Sequence, residues 1–282
     1  IVLYKLPIVM ADIGVVFLLK ERLKTKSIAP NYLFAYALHP LILWEFSFNG
    51  HTECVMLFFL LLALRSYQQK EYLLMGLWMG FSIATKLTTG LVFLYLLFNL
   101  DKKKRYPFLS GCLICIIILF LPYFDIKLIH HLSQSIGLYF HTFEFNAGIY
   151  FLLRESIQAL VGYNPIKILG PMLSIVALSI ILYICVDARN KSEISDGKIV
   201  SIFTIFYLLS TTVHPWYLCI PIAFGAIQNS KFIWWWGLLS MYSYLYYPFQ
   251  SENAKLMLSL SIYAALIFIA YHEYQRKRLH AE

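Results

Sequence analysis

The sequence has 282 residues, of which 60% are hydrophobic and only 13% are charged, and its mean hydropathy is +0.67. A soluble domain carries about 25% charged residues, so this composition excludes an ordinary soluble protein. The net charge of +8 comes from short basic clusters between apolar runs, which is typical of membrane topology and not of nucleic-acid binding.

The apolar stretches predict a helical bundle that crosses a membrane several times. In chain order they are residues 6–19, 31–46, 54–64, 72–100, 107–123, 166–186, 199–227, 232–248 and 255–271. Residues 125–163 contain the longest run of polar positions and are predicted to be a loop. Unbroken apolar runs favour helices, because a transmembrane barrel would alternate apolar and polar residues. We therefore predict an all-α fold with a single integral membrane domain over residues 1–282.

Two of the long stretches are interrupted by polar residues. Lys86 interrupts residues 72–100 within "ATKLTTG", and His214 with Pro215 interrupts residues 199–227. If each stretch is a pair of short helices, 17 of the 23 Lys and Arg residues fall on one side, as the positive-inside rule requires. Each short helix then has about 13 to 15 residues, fewer than the roughly 20 needed to span. We expect both breaks at non-cytoplasmic turns that line an outward-facing cavity.

Lys86 is the most informative single residue of the sequence. An ammonium group at membrane depth costs about 2.5 to 3.5 kcal/mol, so Lys86 needs an anionic partner. One interpretation is an internal ion pair with Asp12, Glu45 or Glu53. The other, which we favour, is contact with a phosphate or pyrophosphate group of a membrane-borne substrate.

The stretch "WEFSFNGHTE" supplies further polar candidates on the predicted outer side. His51 and Glu53 are an acid/base pair in one interpretation and one edge of a metal site in another. H-x-E alone is a weak metal signal, and we predict no metal site. Glu45 is a further carboxylate that could take part in acid/base chemistry or bind an acceptor.

The stretch "HPWYL" and the predicted loop carry the remaining candidates. Trp216 and Tyr217 are typical of a membrane interface, whether or not a site is present. Pro215 breaks a helix beside His214, which favours a functional role for this group. Arg154 either clamps a phosphate or caps the end of the loop.

The Cys112-x-x-Cys115 pattern lies inside the apolar stretch of residues 107–123. A redox or zinc site would need partner ligands nearby, and the surrounding sequence has none. We predict that both cysteines are small packing residues.

Several stretches together resemble a known family of membrane enzymes. They are "KLPIVMADIG", "NGHTE", "GFSIATKLTTGLVFLYLL", "FEFNAGIYFLLR" and "STTVHPWYL". In this order they resemble the polyprenyl-phosphate-mannose-dependent glycosyltransferases of the GT-C class. The resemblance implies an inverting transfer of a hexose, with mannose the leading candidate, to a lipid or glycan acceptor on the periplasmic or lumenal face. By position, it implies that Lys86 meets the donor phosphate, that His214, Trp216 and Tyr217 shape the donor site, and that Asn146 lies near the sugar or lipid.

The same resemblance places the catalytic base of the family in a first outer loop, between its first two helices. Residue 1 is Ile and the first helix resembles a later one of the family, so we expect the chain to be a fragment that lacks this loop. The resemblance therefore assigns no catalytic base to this sequence.

A second function class fits the broken stretches as well. Paired interrupted helices are typical of transporters, so a transporter or flippase of lipid-linked or anionic solutes is the alternative. For the leading function we expect no organic cofactor. The expected partners are the bilayer, a polyprenyl-phosphate sugar donor and a lipid or glycan acceptor, and no nucleic acid.

Overall fold

The computed structural model describes residues 2–189, 193–248 and 251–279. Its α-helices are α1 (Val2–Thr25), α2 (Phe34–Ala37), α3 (Pro40–Ile42), α4 (Glu53–Gln68), α5 (Tyr72–Thr85), α6 (Gly90–Asn99), α7 (Lys102–Phe120), α8 (Ile126–His141), α9 (Gly148–Val161), α10 (Ile166–Asp187), α11 (Asp196–Leu208), α12 (Cys219–Ile227), α13 (Lys231–Ser240) and α14 (Glu252–Leu279). A π-helix (Leu43–Asn49) and short 3-10 turns connect several of them. In these ranges, extended backbone pairs only in one isolated bridge, between Phe145 and Thr212. The all-α prediction is confirmed.

Three helical segments are long and apolar enough to cross a bilayer. They are Lys102–Tyr123, Ile166–Asp187 and Glu252–Leu279, with mean hydropathies of 2.0, 2.4 and 1.8. The pair Pro40–Asn49 and Glu53–Gln68, bent by 115°, is a fourth candidate. At most a third of each long apolar segment is buried inside the protein, so most of its surface needs an apolar surrounding. These are the properties of an integral membrane protein.

The helices run between two ends of the molecule, which we call the basic end and the site end. At the basic end, Arg22 and Lys26 at the end of α1 pair with Asp196 at the start of α11, and Arg65 of α4 pairs with Glu21. The site end is defined by contacts of the opposite helix termini. There, Lys5 of α1 donates a hydrogen bond to the carbonyl of Phe48, and Lys86 after α5 pairs with Glu53 at the start of α4.

Each interrupted stretch leaves the basic end, turns at the site end and returns. For the first stretch, Lys104 lies 5.8 Å from the ring centroid of Tyr72. The start of α5 is therefore close to the chain that follows α6. For the second, a Cβ atom placed on Gly197 would lie 3.4 Å from Oε1 of Gln228, so the start of α11 meets the end of α12. The paired arrangement predicted for these stretches is present in the fold.

Two predicted elements are wrong, and a third ends earlier as an α-helix than predicted. Residues 31–46 do not form one helix, because the backbone is extended at His39, before Pro40, and the chain continues as α3 and the π-helix. A residue before proline avoids the helical region for steric reasons. Residues 125–163 are not a loop, since they fold into α8 and α9. Residues 232–248 are helical only as far as Ser240 and then form a 3-10 turn.

Helices α5 and α7 cross at very short range. A Cβ atom on Gly76 would overlap the backbone carbonyl of Phe108, and one on Gly80 would lie 2.7 Å from Cβ of Cys115. Cys112 and Cys115 are both free and buried at this crossing. Small residues let helix backbones approach closely in membranes. The structure therefore agrees with a packing role for these cysteines.

Candidate functional site

The two breaks meet at the site end. Lys86 has extended backbone (φ −158°, ψ 127°) between α5 and the next 3-10 turn, and His214 is extended (φ −74°, ψ 149°) before Pro215. The Lys86 ammonium nitrogen lies 4.0 Å from the ring centroid of Tyr217. Such a distance is a cation–π contact, and it joins the two broken stretches directly.

Lys86 also has an anionic partner. Its ammonium forms an ion pair with Oε1 of Glu53, whose side chain is only 7% exposed. Of the three carboxylates considered from the sequence, Glu53 is the one paired with Lys86. Asp12 instead accepts a hydrogen bond of 2.8 Å from the hydroxyl of Tyr36.

His51 lies between two buried carboxylates. Its Nε2 is 3.5 Å from Oε2 of Glu45, and its Nδ1 is 3.9 Å from Oε2 of Glu53. Glu45 is fully buried and also accepts hydrogen bonds from the Asn49 amide, at 2.9 Å, and from the Tyr244 hydroxyl. A buried carboxylate is stable only when paired or hydrogen-bonded, and these contacts meet that condition.

The backbone after the π-helix brings His51 to this position. Gly50 has a left-handed conformation (φ 80°), and the amide of His51 donates to the carbonyl of Glu45 at 2.9 Å. A side chain at position 50 would be strained at this φ. The turn directs the chain into α4, so that Glu53 follows His51 on the same side of the site.

Stacked aromatic rings complete the group. The rings of His51 and Trp216 stack at 4.1 Å, and those of Trp216 and His214 stack at 4.4 Å with an angle of 5° between their planes. Phe145 lies 4.4 Å from His214. We call the following residues the central cluster: Glu45, His51, Glu53, Lys86, His214, Trp216 and Tyr217.

His214 is neutral at physiological pH. Burial lowers its pKa to about 4, and the positive charge of Lys86 acts in the same direction. Its Nδ1 atom is buried and makes no hydrogen bond to any other described residue. A neutral imidazole can donate one hydrogen bond and accept another, but it contributes no charge to a ligand.

Arg154 and Asn146 lie beside the central cluster and not in it. Arg154 pairs with Glu144, and its Nε donates to Glu155 at 3.0 Å. Together with Tyr246, among others, Arg154 and Glu144 line a cavity of about 260 Å³. Asn146 is buried, and its backbone carbonyl accepts a hydrogen bond of 2.9 Å from the hydroxyl of Tyr263.

A short bridge connects this neighbouring cavity to the central cluster. The amide of Phe145 donates to the carbonyl of Thr211 at 3.0 Å, and the amide of Val213 donates to the carbonyl of Phe145 at 2.7 Å. The ring of Phe145 lines the cavity and contacts His214. The side-chain amide of Asn146 also reaches this bridge, since it donates to the carbonyl of Val213 at 3.5 Å.

Two residues of the site were not predicted. Phe145 is adjacent to Asn146 in "FEFNAGIY", and only Asn146 was predicted as a site residue in that stretch. Tyr244 lies in the apolar run "MYSYLYY", where nothing in the sequence distinguishes it from an interfacial aromatic residue. No set of three or more His, Cys, Asp or Glu side chains in the described ranges is arranged to hold a metal ion.

Comparison of the chain with protein-family models, with curated protein sequences and with solved structures found no match.

Proposed function

We propose that the chain is a membrane glycosyltransferase that transfers a hexose, with mannose the leading candidate, from a polyprenyl-phosphate donor to a lipid or glycan acceptor. The observation that carries this proposal is the central cluster itself. It brings two carboxylates, an imidazole and an ammonium together at the end of the bundle opposite the basic clusters. By the positive-inside rule, that end is the non-cytoplasmic one.

Glycosyl transfer with inversion needs two functions that the cluster can supply. The acceptor oxygen attacks the anomeric carbon, the bond from that carbon to the phosphate oxygen breaks, and the phosphate leaves with the electron pair. The acceptor proton must pass to a base, for which Glu45, His51 and Glu53 are the candidates. The leaving phosphate needs a cation. Lys86 is the candidate, because it already forms an ion pair with one of those carboxylates, Glu53.

The ion pair between Lys86 and Glu53 connects the two functions. An ammonium has three N–H groups. Lys86 can therefore exchange its contact with the Glu53 carboxylate for a contact with the phosphate of the sugar donor. Glu53 would then lose its closest cation at the moment when a base is needed. Arg154, in the adjoining cavity with Tyr246, is a second cation for the donor phosphate or the sugar.

The test is transfer of radiolabelled mannose from polyprenyl-phosphate mannose by membranes that contain the protein. We expect Lys86→Ala to abolish transfer while the protein remains in the membrane. Lys167→Ala is the matched control, because it removes an exposed cation at the same end. Full activity of Lys86→Ala would remove Lys86 from the mechanism, and equal loss in both variants would mean that only net charge matters.

The alternative of a transporter or flippase is favoured by one observation. Both broken stretches turn at the site end, where Glu, His and Lys side chains are paired. Series of ionisable side chains of this kind relay protons in proton-coupled carriers. Proteoliposomes distinguish the two functions. Movement of the lipid-linked sugar across the bilayer without formation of a new glycoside supports the carrier, whereas a new glycoside supports the transferase.

A further inference from the structure

A groove of about 540 Å³ lies between α13 and α14, far from the central cluster. Its apolar part is lined by Trp235, Phe268 and Ile269. Its other part is lined by basic side chains, among them Lys231 and Arg276. One groove therefore combines an apolar channel with a cationic mouth.

The apolar part of the groove faces the surroundings of the protein. Trp235 is 40% exposed and Phe268 is 64% exposed, although both are large and apolar. Phe268 lies on α14, one of the three helices long and apolar enough to cross a bilayer. In a bilayer, this surface is in contact with acyl chains.

The cationic mouth lies at one end of that surface. Lys231 begins α13 and Arg276 lies in the last turn of α14. The two helix ends meet, because the amide of Phe232 donates a hydrogen bond of 2.7 Å to Oε2 of Glu273. Both cations are thus placed where α14 leaves its apolar segment, which is the depth of lipid headgroups.

Among the residues that the structure describes, none is paired with the two cations at the mouth. Glu273 is the acidic residue of the groove lining, and its Oε1 is paired with Lys277 at 2.7 Å. Neither Lys231 nor Arg276 forms an ion pair with another residue of the described ranges. The mouth therefore presents two uncompensated positive charges next to an apolar channel.

We propose that this groove binds one anionic phospholipid of the surrounding bilayer. The headgroup phosphate lies between Lys231 and Arg276, and an acyl chain lies along Trp235 and Phe268. Charge complementarity selects an anionic headgroup over a zwitterionic one, since each Lys or Arg near the membrane surface contributes about 1 kcal/mol to anionic-lipid attraction. The inference is independent of the proposed transferase activity.

Native mass spectrometry of the detergent-solubilised protein tests the proposal. We expect one molecule of phosphatidylglycerol to bind more tightly than phosphatidylcholine of the same chain length. Lys231→Gln combined with Arg276→Gln should weaken phosphatidylglycerol binding about 30-fold and weaken phosphatidylcholine binding much less. Lys102→Gln combined with Lys103→Gln is the matched control, because it removes two exposed cations at the same end outside the groove.

A second pair of variants tests the acyl-chain part. Phe268→Ala should weaken binding of both lipids, and Ile267→Ala, which removes an equally exposed neighbour, should not. Thermal unfolding of each variant shows whether the fold is intact. Equal affinity of the wild type for the two lipids, equal effects of the two charge variants, or a second copy of the chain in the groove would each overturn the proposal.

Discussion

Removing one partner of the ion pair between Lys86 and Glu53 should destabilise the fold far more than removing one partner of an exposed pair of the same chain. Removing one partner of a buried pair costs about 3 to 5 kcal/mol, because the other charge stays buried without compensation. The Glu53 side chain is 7% exposed and that of Lys86 is 27% exposed. We therefore expect the lower limit, about 3 kcal/mol, for Lys86→Met. The double variant with Glu53→Gln should recover most of this loss.

The pair between Arg65 and Glu21 is the internal reference. Its side chains are 44% and 47% exposed, and exposed pairs contribute about 0 to 1 kcal/mol. A double-mutant cycle on each pair gives the two coupling energies directly. The assay is equilibrium unfolding in mixed detergent micelles. A coupling energy between Lys86 and Glu53 that is no larger than the reference would refute the reasoning that this pair behaves as a buried one.

Three further predictions follow from single positions. Gly76→Ala should lower the melting temperature because its Cβ would overlap the α7 backbone, whereas Gly90→Ala, with open space around its Cβ, should change it little. Because burial holds the pKa of His214 near 4 and the unfolded value is near 6.5, the unfolded state gains the proton first as pH falls. Stability should therefore decrease from about pH 6.5 down to about pH 4, and His214→Gln should remove that part of the acid sensitivity; an unchanged pH profile would contradict it. In sealed vesicles, a membrane-impermeant thiol reagent should label Lys103→Cys and Lys167→Cys from opposite sides; labelling of both from one side would exclude the topology.

The breaks were predictable because each depends on residues that are neighbours in the sequence. His214 precedes Pro215, and steric contact with the proline ring disfavours helical backbone at the preceding residue, although Pro7, Pro107 and Pro171 are accommodated inside helices of this chain. The same preference applies to His39 before Pro40, where the backbone is also extended (φ −67°, ψ 126°). The sequence was interpreted as one helix there because the apolar run continues past the proline. The break at position 214 was recognised because polar residues accompany the proline there.

The partners at the site were harder to predict, because they depend on how elements distant in sequence are oriented. Three carboxylates were within reach of Lys86 on sequence grounds alone. The choice of Glu53 follows from the 115° bend between the π-helix segment and α4, which is produced by a left-handed Gly50 and a π-helical register that no periodicity reveals. Local chemistry and the placement of charges therefore predict which residue types form the site and at which end of the bundle they lie. Which carboxylate meets which cation is decided by a turn of three residues, so the chemistry of the site depends more on that turn than on any of the long helices around it.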